Sequence, residues 1–333
     1  MPTADRRTDL DRAKGLGILL VVLGHIVARD PPLGNDWYMV LKAGIYEFHM
    51  PFFLYLSGYV TFLSGAARVA PALWPRLVAR RALRLLLPFA VFGFVLVGGK
   101  LLAAHVLYVD NVPASAGAAL VDLLWTTDRS PAVSVWYMFV LFIACVATPP
   151  LLWIARGRSS LVLVLALLAY GVGFPHRLYA DRIAGYFVFF VLGGMAAEAG
   201  DRWLQWLDRY RVAAQVSFAV AVVAGVAFSG HIDRQWALLV CGCLSMPALH
   251  GLIRRVPATE RWLLVLGAYS FVIYLLNTLC IGLAKGLLLK LLPWDGSNFL
   301  VFAPALLLAG LAGPMLVKRY LFRAVPALDR ITA

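Results

Sequence analysis

Apolar segments of about 20 residues recur along almost the whole chain, separated by short polar connections. A helix needs about 20 apolar residues to cross a hydrocarbon core of about 30 Å. The pattern predicts an all-α integral membrane protein, a polytopic bundle of about ten transmembrane helices. The predicted spans are residues 12–29, 45–64, 84–107, 133–154, 160–174, 184–200, 211–229, 235–253, 262–284 and 298–321.

Composition agrees with this class and excludes several others. Of the 333 residues, 62% are hydrophobic and 14% charged, whereas a soluble domain averages about 25% charged. The net charge of +13 does not indicate nucleic-acid binding, because the cations lie in short loops between apolar segments. The four cysteines fall inside predicted spans, so we expect neither a disulfide framework nor a metal site. We expect a single domain over residues 1–333, without a fused soluble domain.

The distribution of cations predicts the orientation. Placing the N-terminus on the cytoplasmic side puts most of the 30 Lys and Arg residues in cytoplasmic loops. This is the bias that orients membrane proteins. An even number of spans returns the C-terminus to the same side, so both termini are predicted to be cytoplasmic.

The first apolar segment carries a cation near its start, Lys14, and an imidazole near its end, His25. Eleven residues at about 100° each leave an offset of about 20°, so both side chains share one helix face, about 16 Å apart along the axis. Ionisable groups inside a membrane are costly and typically functional. The structural alternative is that Lys14 snorkels to the interface and His25 bonds a backbone carbonyl.

Glu47 and His49 open the second apolar segment. Since the first segment runs outward and the second inward, both residues are predicted to lie at the outer level, near His25. A carboxylate beside an imidazole fixes its tautomer and stabilises the imidazolium, which makes these three residues candidates for general-base catalysis. The alternative is that Glu47 and His49 are solvated interfacial residues.

Arginines at helical spacing fill the connection to the third segment, at Arg76, Arg80, Arg81 and Arg84. Guanidinium groups bind phosphate bidentately, so a cluster at the inner mouth of a bundle can hold a diphosphate or a 3′-phosphate. A positive-inside loop that contacts anionic lipid headgroups explains the same arginines.

Aromatic and polar side chains near the outer ends are candidates for an acceptor site. Trp136 and Tyr137 lie in the fourth segment, and Tyr274 and Asn277 lie on one side of the ninth. Aromatic rings can form a platform for a sugar, although an interfacial aromatic belt predicts the same rings. Asn277 can alternatively serve as an interhelical hydrogen bond.

Five motifs follow one another in a definite order and spacing. They are DRAKGLGILLVVLGH at 11–25, FHMPFFLYLSGY at 48–59, RALRLLLPF at 81–89, WYMFVLF at 136–142 and YSFVIYLLN at 269–277. Together they resemble the integral-membrane acyltransferase 3 family, closest to its branch of fucose and glycan O-acetylases. No Gly-rich phosphate loop, HExxH or GxSxG motif occurs, so the usual ATPase, metalloprotease and serine-hydrolase classes are excluded.

The resemblance implies a reaction and roles for individual residues. A bacterial-type inner (plasma) membrane enzyme of this family would move an acyl group, usually acetyl, from cytoplasmic acetyl-CoA to a hydroxyl of an extracytoplasmic glycan or lipid-linked sugar. By position, His25 is the essential histidine, Lys14 the paired basic residue, and Arg81 and Arg84 the paired arginines of the family. Relatives often carry histidine where this chain has Asn277, for which positioning is expected.

The residues and the resemblance combine into one hypothesis. Lys14, Arg80, Arg81 and Arg84 would bind the CoA phosphates, while His25, with Glu47 and His49, would act on the acyl group. His25 would deprotonate the acceptor hydroxyl or accept the acyl group as a relay, and both routes stay open. The only partners expected are the acceptor and membrane lipid. The alternatives are a transporter or exporter of an anionic glycan or small solute, and a non-catalytic scaffold.

Overall fold

A computed structural model describes residues 8–28, 30–106, 109, 112–257 and 260–332 of the chain. Its regular structure in these ranges is helical, apart from two isolated β-bridges. The α-helices are α1 (Thr8–His25), α2 (Asp36–Tyr46), α3 (His49–Leu63), α4 (Trp74–Arg81), α5 (Leu87–Ala103), α6 (Ala116–Leu124), α7 (Trp136–Ile154), α8 (Ser159–Gly171), α9 (Ala180–Ala199), α10 (Asp201–Ala227), α11 (Arg234–Ile253), α12 (Trp262–Leu288), α13 (Phe299–Leu316) and α14 (Pro326–Ile331).

Seven helical stretches of the described chain are long and apolar enough to cross a membrane. They are Pro71–Ala103, Trp136–Ile154, Ala180–Ala199, Asp201–Ala227, Arg234–Ile253, Trp262–Leu288 and Phe299–Ala324. The other three predicted spans are also helical, but α3 and α8 have only 15 and 13 residues, and α1 carries four charged residues in its first two turns. The helical membrane class is therefore confirmed, whereas a count of about ten spans is not.

The second predicted span, 45–64, corresponds to α3 over most of its length, whereas its first two residues end a separate helix, α2. The chain turns at Glu47 and Phe48, between the end of α2 and the start of α3. Glu47 is charged, but Ile45, Phe48 and Met50 around it are apolar, so the hydropathy pattern did not separate the two helices. As a result α2 is a separate helix that packs against the end of α1.

Contacts between helix ends define two ends of the bundle. His25 at the end of α1 contacts Asn277 of α12, whereas Asp9 near the start of α1 contacts His250 near the end of α11. Thus α1 runs parallel to α12 and antiparallel to α11. We call these two faces of the bundle the His25 end and the Asp9 end.

Two pairs of parallel helices cross at glycines. A Cβ on Gly15 of α1 would lie 2.1 Å from the carbonyl oxygen of Leu263, and a Cβ on Gly267 of α12 would lie 2.0 Å from that of Asp11. The crossing is therefore reciprocal, and neither position has room for a side chain. Close approach at small residues is a common way for helices to associate in membranes.

The same arrangement joins α3 and α9. A Cβ on Gly58 would lie 1.9 Å from the carbonyl oxygen of Phe190, and one on Gly193 would lie 2.0 Å from that of Tyr55. The two crossings fix the relative heights of four helices, and these helices supply most of the side chains discussed below.

We expect Gly267→Ala to destabilise the protein and Gly282→Ala on the same helix to leave its stability unchanged or slightly raised. The first methyl group meets backbone at 2.0 Å, whereas nothing lies within 4 Å of the second. Overpacking of this kind costs about 2 kcal/mol or more. Thermal unfolding of the purified variants in one detergent measures the difference. Equal stability of the two variants would contradict the crossing.

Candidate active site

A cavity of about 600 Å³ lies at the His25 end. Residues of α1, α2, α3, α7, α8, α9, α11 and α12 line it, together with Ser134 before α7 and the connection between α8 and α9. Four sequence-predicted site residues are among them: His25, His49, Trp136 and Tyr274. The structure thus brings together residues that lie up to 249 positions apart in the chain, since His25 and Tyr274 share one wall.

His25 is held by a hydrogen bond from its Nδ1 to the side-chain oxygen Oδ1 of Asn277, at 2.7 Å. Asn277 is fully buried, and its Nδ2 donates to the carbonyl oxygens of Ile273 and Tyr274, both at 2.8 Å. These two bonds use both amide hydrogens and leave Oδ1 facing the imidazole. Nδ1 must therefore carry the proton, and Nε2 of the neutral ring keeps its lone pair.

The glycine crossing explains why these two residues meet. His25 follows Gly15 by the same number of residues as Asn277 follows Gly267. In parallel helices that touch at the glycines, both side chains lie at one height, about 15 Å further along. The register of α1 against α12 therefore places the imidazole opposite the amide.

Helix α2 holds the end of α1 from the other side. Tyr38, Lys42 and Tyr46 repeat at i, i+4 and i+8 and donate to carbonyl groups in the last turn of α1 and just beyond its end. The last carbonyl groups of a helix lack partners within it. The accepting oxygens belong to Leu23, Gly24, Val27 and Ala28. The contact to Val27, at 2.6 Å, comes from the Lys42 ammonium group, which also suits the negative end of the helix dipole. These donors restrain the turn that carries His25.

His49 is the second imidazole of the cavity. Its Nδ1 donates to the carbonyl oxygen of Ile45 at 2.8 Å, and only 4% of the residue is exposed. It interacts electrostatically with His25. Glu47 is not among the described lining residues; it interacts electrostatically with Arg234 and Cys241 of α11. Its catalytic role stays a prediction, without a contact to either imidazole among the described residues.

The predicted acceptor residues lie beside His25. The Tyr274 hydroxyl donates to the carbonyl oxygen of Ser134 and accepts from the backbone N–H of Tyr137, at 3.2 Å. Trp136 packs on Tyr186, with ring centroids 4.9 Å apart. Tyr137 lies behind this wall, where its hydroxyl bonds Ser57 at 2.6 Å. Trp136 and Tyr274 can thus contact a ligand directly, whereas Tyr137 and Asn277 support neighbours that do.

The predicted donor-binding cations lie away from the cavity. Lys14 pairs with Asp11, one helical turn earlier on α1, at 3.3 Å. Arg80 and Arg84 are exposed and Arg81 is half-buried, with no partner for its buried Nε in the described chain. Arg84 lies in a π-helical turn, Ala82–Leu86, of a kind often found at functional sites. Arg81 and Arg84 both lie within electrostatic range of Cys145 of α7, so they lie beside that helix.

Sequence reasoning did not assign a role to several polar residues of the cavity. Arg182 and Tyr186 of α9, and Arg234 of α11, line it as well. The spacing of Arg182 and Tyr186, four residues apart near the start of an apolar segment, was the available signal. No group of three or more His, Cys, Asp or Glu residues suited to a metal is found in the described chain, and a metal-free reaction stays a prediction.

Fold and site define a helical membrane protein with an oriented imidazole in a cavity at one end of the bundle. The acyltransferase 3 family model, described as an acyltransferase domain, matches residues 7–319. The chain belongs to this family, as its motifs predicted.

Two curated relatives share shorter stretches of sequence. Nodulation protein NolL of Mesorhizobium japonicum is 39% identical over 88 residues, which are 26% of this chain and 22% of that protein. Nodulation protein NolL of Sinorhizobium fredii is 33% identical over 103 residues, 30% of this chain and 26% of that protein. The matched part thus spans about a quarter of these relatives. No solved structure matches the chain.

We expect neutral His25 to carry its proton on Nδ1, because Asn277 offers only an acceptor there. Nitrogen NMR of protein labelled with ¹⁵N-histidine measures the tautomer, with the His25 signals identified by their loss in His25→Gln. Asn277→Ala should shift the ring toward the Nε2-protonated form, whereas Thr278→Ala on the next position should not. A proton on Nε2 in the unaltered protein would contradict the assignment.

Proposed function

We propose that this acyltransferase moves an acyl group, acetyl by the family resemblance, from cytoplasmic acyl-CoA to a hydroxyl of an extracytoplasmic glycan or lipid-linked sugar. The observation that carries the proposal is the orientation of His25. Its Nδ1 forms a hydrogen bond with Asn277, so the free lone pair is on Nε2, the nitrogen that can act on a ligand in the cavity. An imidazole in that state is a general base.

The direct route uses His25 as a proton carrier. Nε2 takes the proton of the acceptor hydroxyl while that oxygen attacks the thioester carbonyl. The C–S bond then breaks, and the CoA thiolate leaves and takes the proton back from the imidazolium. Asn277 stabilises the imidazolium through its oxygen and stays uncharged itself. In the relay route, Nε2 attacks the thioester carbonyl, the C–S bond breaks and the CoA thiolate leaves. The acceptor hydroxyl then attacks the acyl-imidazolium, the C–N bond breaks to restore the neutral imidazole, and the hydroxyl proton passes to the thiolate.

The donor would enter from the Asp9 end. Lys14, Arg80, Arg81 and Arg84 are the proposed phosphate-binding residues, and the unpartnered Nε of Arg81 supports an anionic ligand there. Lys14 and His25 lie about 16 Å apart along α1. An extended pantetheine arm is of comparable length, so the nucleotide could stay at the cations while the thioester reaches His25. Trp136 and Tyr274 would contact the acceptor.

We expect His25→Ala to lower acyl transfer at least about a hundredfold, because a positioned general base contributes that much or more. His105→Ala, an exposed histidine outside the described cavity lining, should retain full activity. Purified protein incubated with acetyl-labelled CoA and crude envelope glycan measures transfer of the label to glycan.

Each outcome of this assay decides between functions. Label on the glycan that disappears only in His25→Ala supports the proposal. Transfer that persists in His25→Ala overturns the catalytic assignment. Neither transfer nor acetyl-CoA binding by well-folded protein overturns the acyltransferase mechanism and favours a transporter or scaffold.

A further inference from the structure

Two arginines of the cavity lack an ion-pair partner in the described chain. Arg182 of α9 is half-buried in the wall, and Arg234 of α11 lies exposed at the rim. Neither forms a salt bridge with any described carboxylate. Two unpaired guanidinium groups beside a general base are unusual in a membrane protein, where charges normally pair or serve a ligand.

The nearby carboxylates do not neutralise them. Asp181 is the only acidic residue in the described lining, and its Oδ2 bonds His176 at 2.9 Å. Its second oxygen, Oδ1, is buried without a described partner and remains available to accept from a ligand hydroxyl. Glu47 lies within electrostatic range of Arg234 but makes no ion pair with it.

Arg182 is held in a geometry that suits an anion. Its guanidinium lies over the ring of Trp136, 4.7 Å from the centroid, and more distantly over that of Tyr179, at 6.0 Å. A cation–π contact of this kind does not consume the N–H donors of the guanidinium, which can form a bidentate contact with an oxyanion. Trp136 thus orients Arg182 and lines the cavity at the same time.

Tyr186 links the two cations. It lines the cavity one helical turn after Arg182 and lies within electrostatic range of both Arg182 and Arg234. Its ring packs on Trp136. The two guanidinium groups therefore flank one aromatic wall of the same cavity that contains His25.

We infer that this wall binds an oxyanion carried by the acceptor, a carboxylate or a phosphate, through Arg182 with Arg234 at the rim. The term acceptor rests on the proposed function. The ring of Trp136 would support the sugar, and Asp181 Oδ1 would accept from one of its hydroxyl groups. The acceptor class is accordingly an acidic sugar or a sugar phosphate, and not a neutral glycan.

A measurement of sugar binding tests this inference and does not depend on acyl transfer. Calorimetry on the purified full chain in neutral detergent would compare a disaccharide with its uronate counterpart, which differs only by a carboxylate, and would include a sugar 1-phosphate. We expect at least one anionic sugar to bind about tenfold more tightly than the neutral one, as for a charged hydrogen-bonded pair. Arg182→Gln should abolish this preference, and Arg182→Lys should restore it only in part.

Arg177→Gln is the matched control. Arg177 lies at the same end and stacks on Trp125 at 5.5 Å, but it is outside the described lining. Its variant should keep the preference. Equal binding of neutral and anionic sugars, or equal losses in the two glutamine variants, would overturn the inference. An Arg182-dependent interaction with phosphatidylglycerol nanodiscs, but with no soluble anion, would also overturn it, because the anion would then be a lipid headgroup.

These outcomes are separable from those of the transfer assay. An Arg182-dependent preference without any acyl transfer keeps the anion site and rejects the proposed function. Transfer to neutral and anionic sugars with equal kcat/KM keeps the proposed function and rejects the anion site.

Discussion

The contact of α1 with α12 at Gly15 and Gly267 is the constraint on which the site depends. Backbone meets backbone at this crossing, so the two helices have one register and no freedom to slide. His25 and Asn277 follow their glycines at equal distances along the chain and meet as a consequence. A slip of α12 by a single residue would move Asn277 by about 1.5 Å and 100°, enough to break a bond of 2.7 Å.

The hydrogen bonds of the site also determine which nitrogen of His25 carries the proton. Two amide hydrogens of Asn277 bind backbone, which leaves its oxygen for Nδ1 of His25 and the lone pair for Nε2. A carboxylate in place of Asn277 would stabilise the imidazolium more strongly but would also bury a charge, which is costly in a bundle that crosses a membrane. The amide orients the base without that cost. Charge is instead concentrated at the two ends, on Arg81 and Arg84 and on Arg182 and Arg234.

Hydrophobic periodicity predicted the helices well because each long apolar run needs a helix in lipid. It missed α2 as a separate helix, which lies almost entirely before the predicted second span, and it placed the start of α3 four residues too early. The count of about ten spans is not confirmed, because α1, α3 and α8 are helical but are shorter or more polar than the seven stretches long and apolar enough to cross a membrane.

The site was predictable only in part. The His25 candidate followed from an ionisable group in an apolar segment, and the family from ordered motifs. The pairing of His25 with Asn277 was not predictable, because it depends on the register of two helices separated by more than 200 residues. The exposure of Arg182 to the cavity was not predictable either. It depends on the packing of two helices, because Trp136, the ring that orients Arg182, belongs to α7 and not to α9. Glu47 was grouped with the histidines because it was predicted to lie at the same level. Its electrostatic neighbours in the described chain include Arg234 of α11 and Tyr186 of α9.

The central claim is that acyl transfer takes place at Nε2 of His25, with the donor reaching it from the Asp9 end. An experimental density map of the full chain with a non-hydrolysable acetyl-CoA analogue tests this most directly. The account predicts the nucleotide phosphates beside Arg81 and Arg84 and the acyl carbonyl within reach of Nε2. Density for the nucleotide inside the cavity at the His25 end, or an acyl group far from His25, would contradict it.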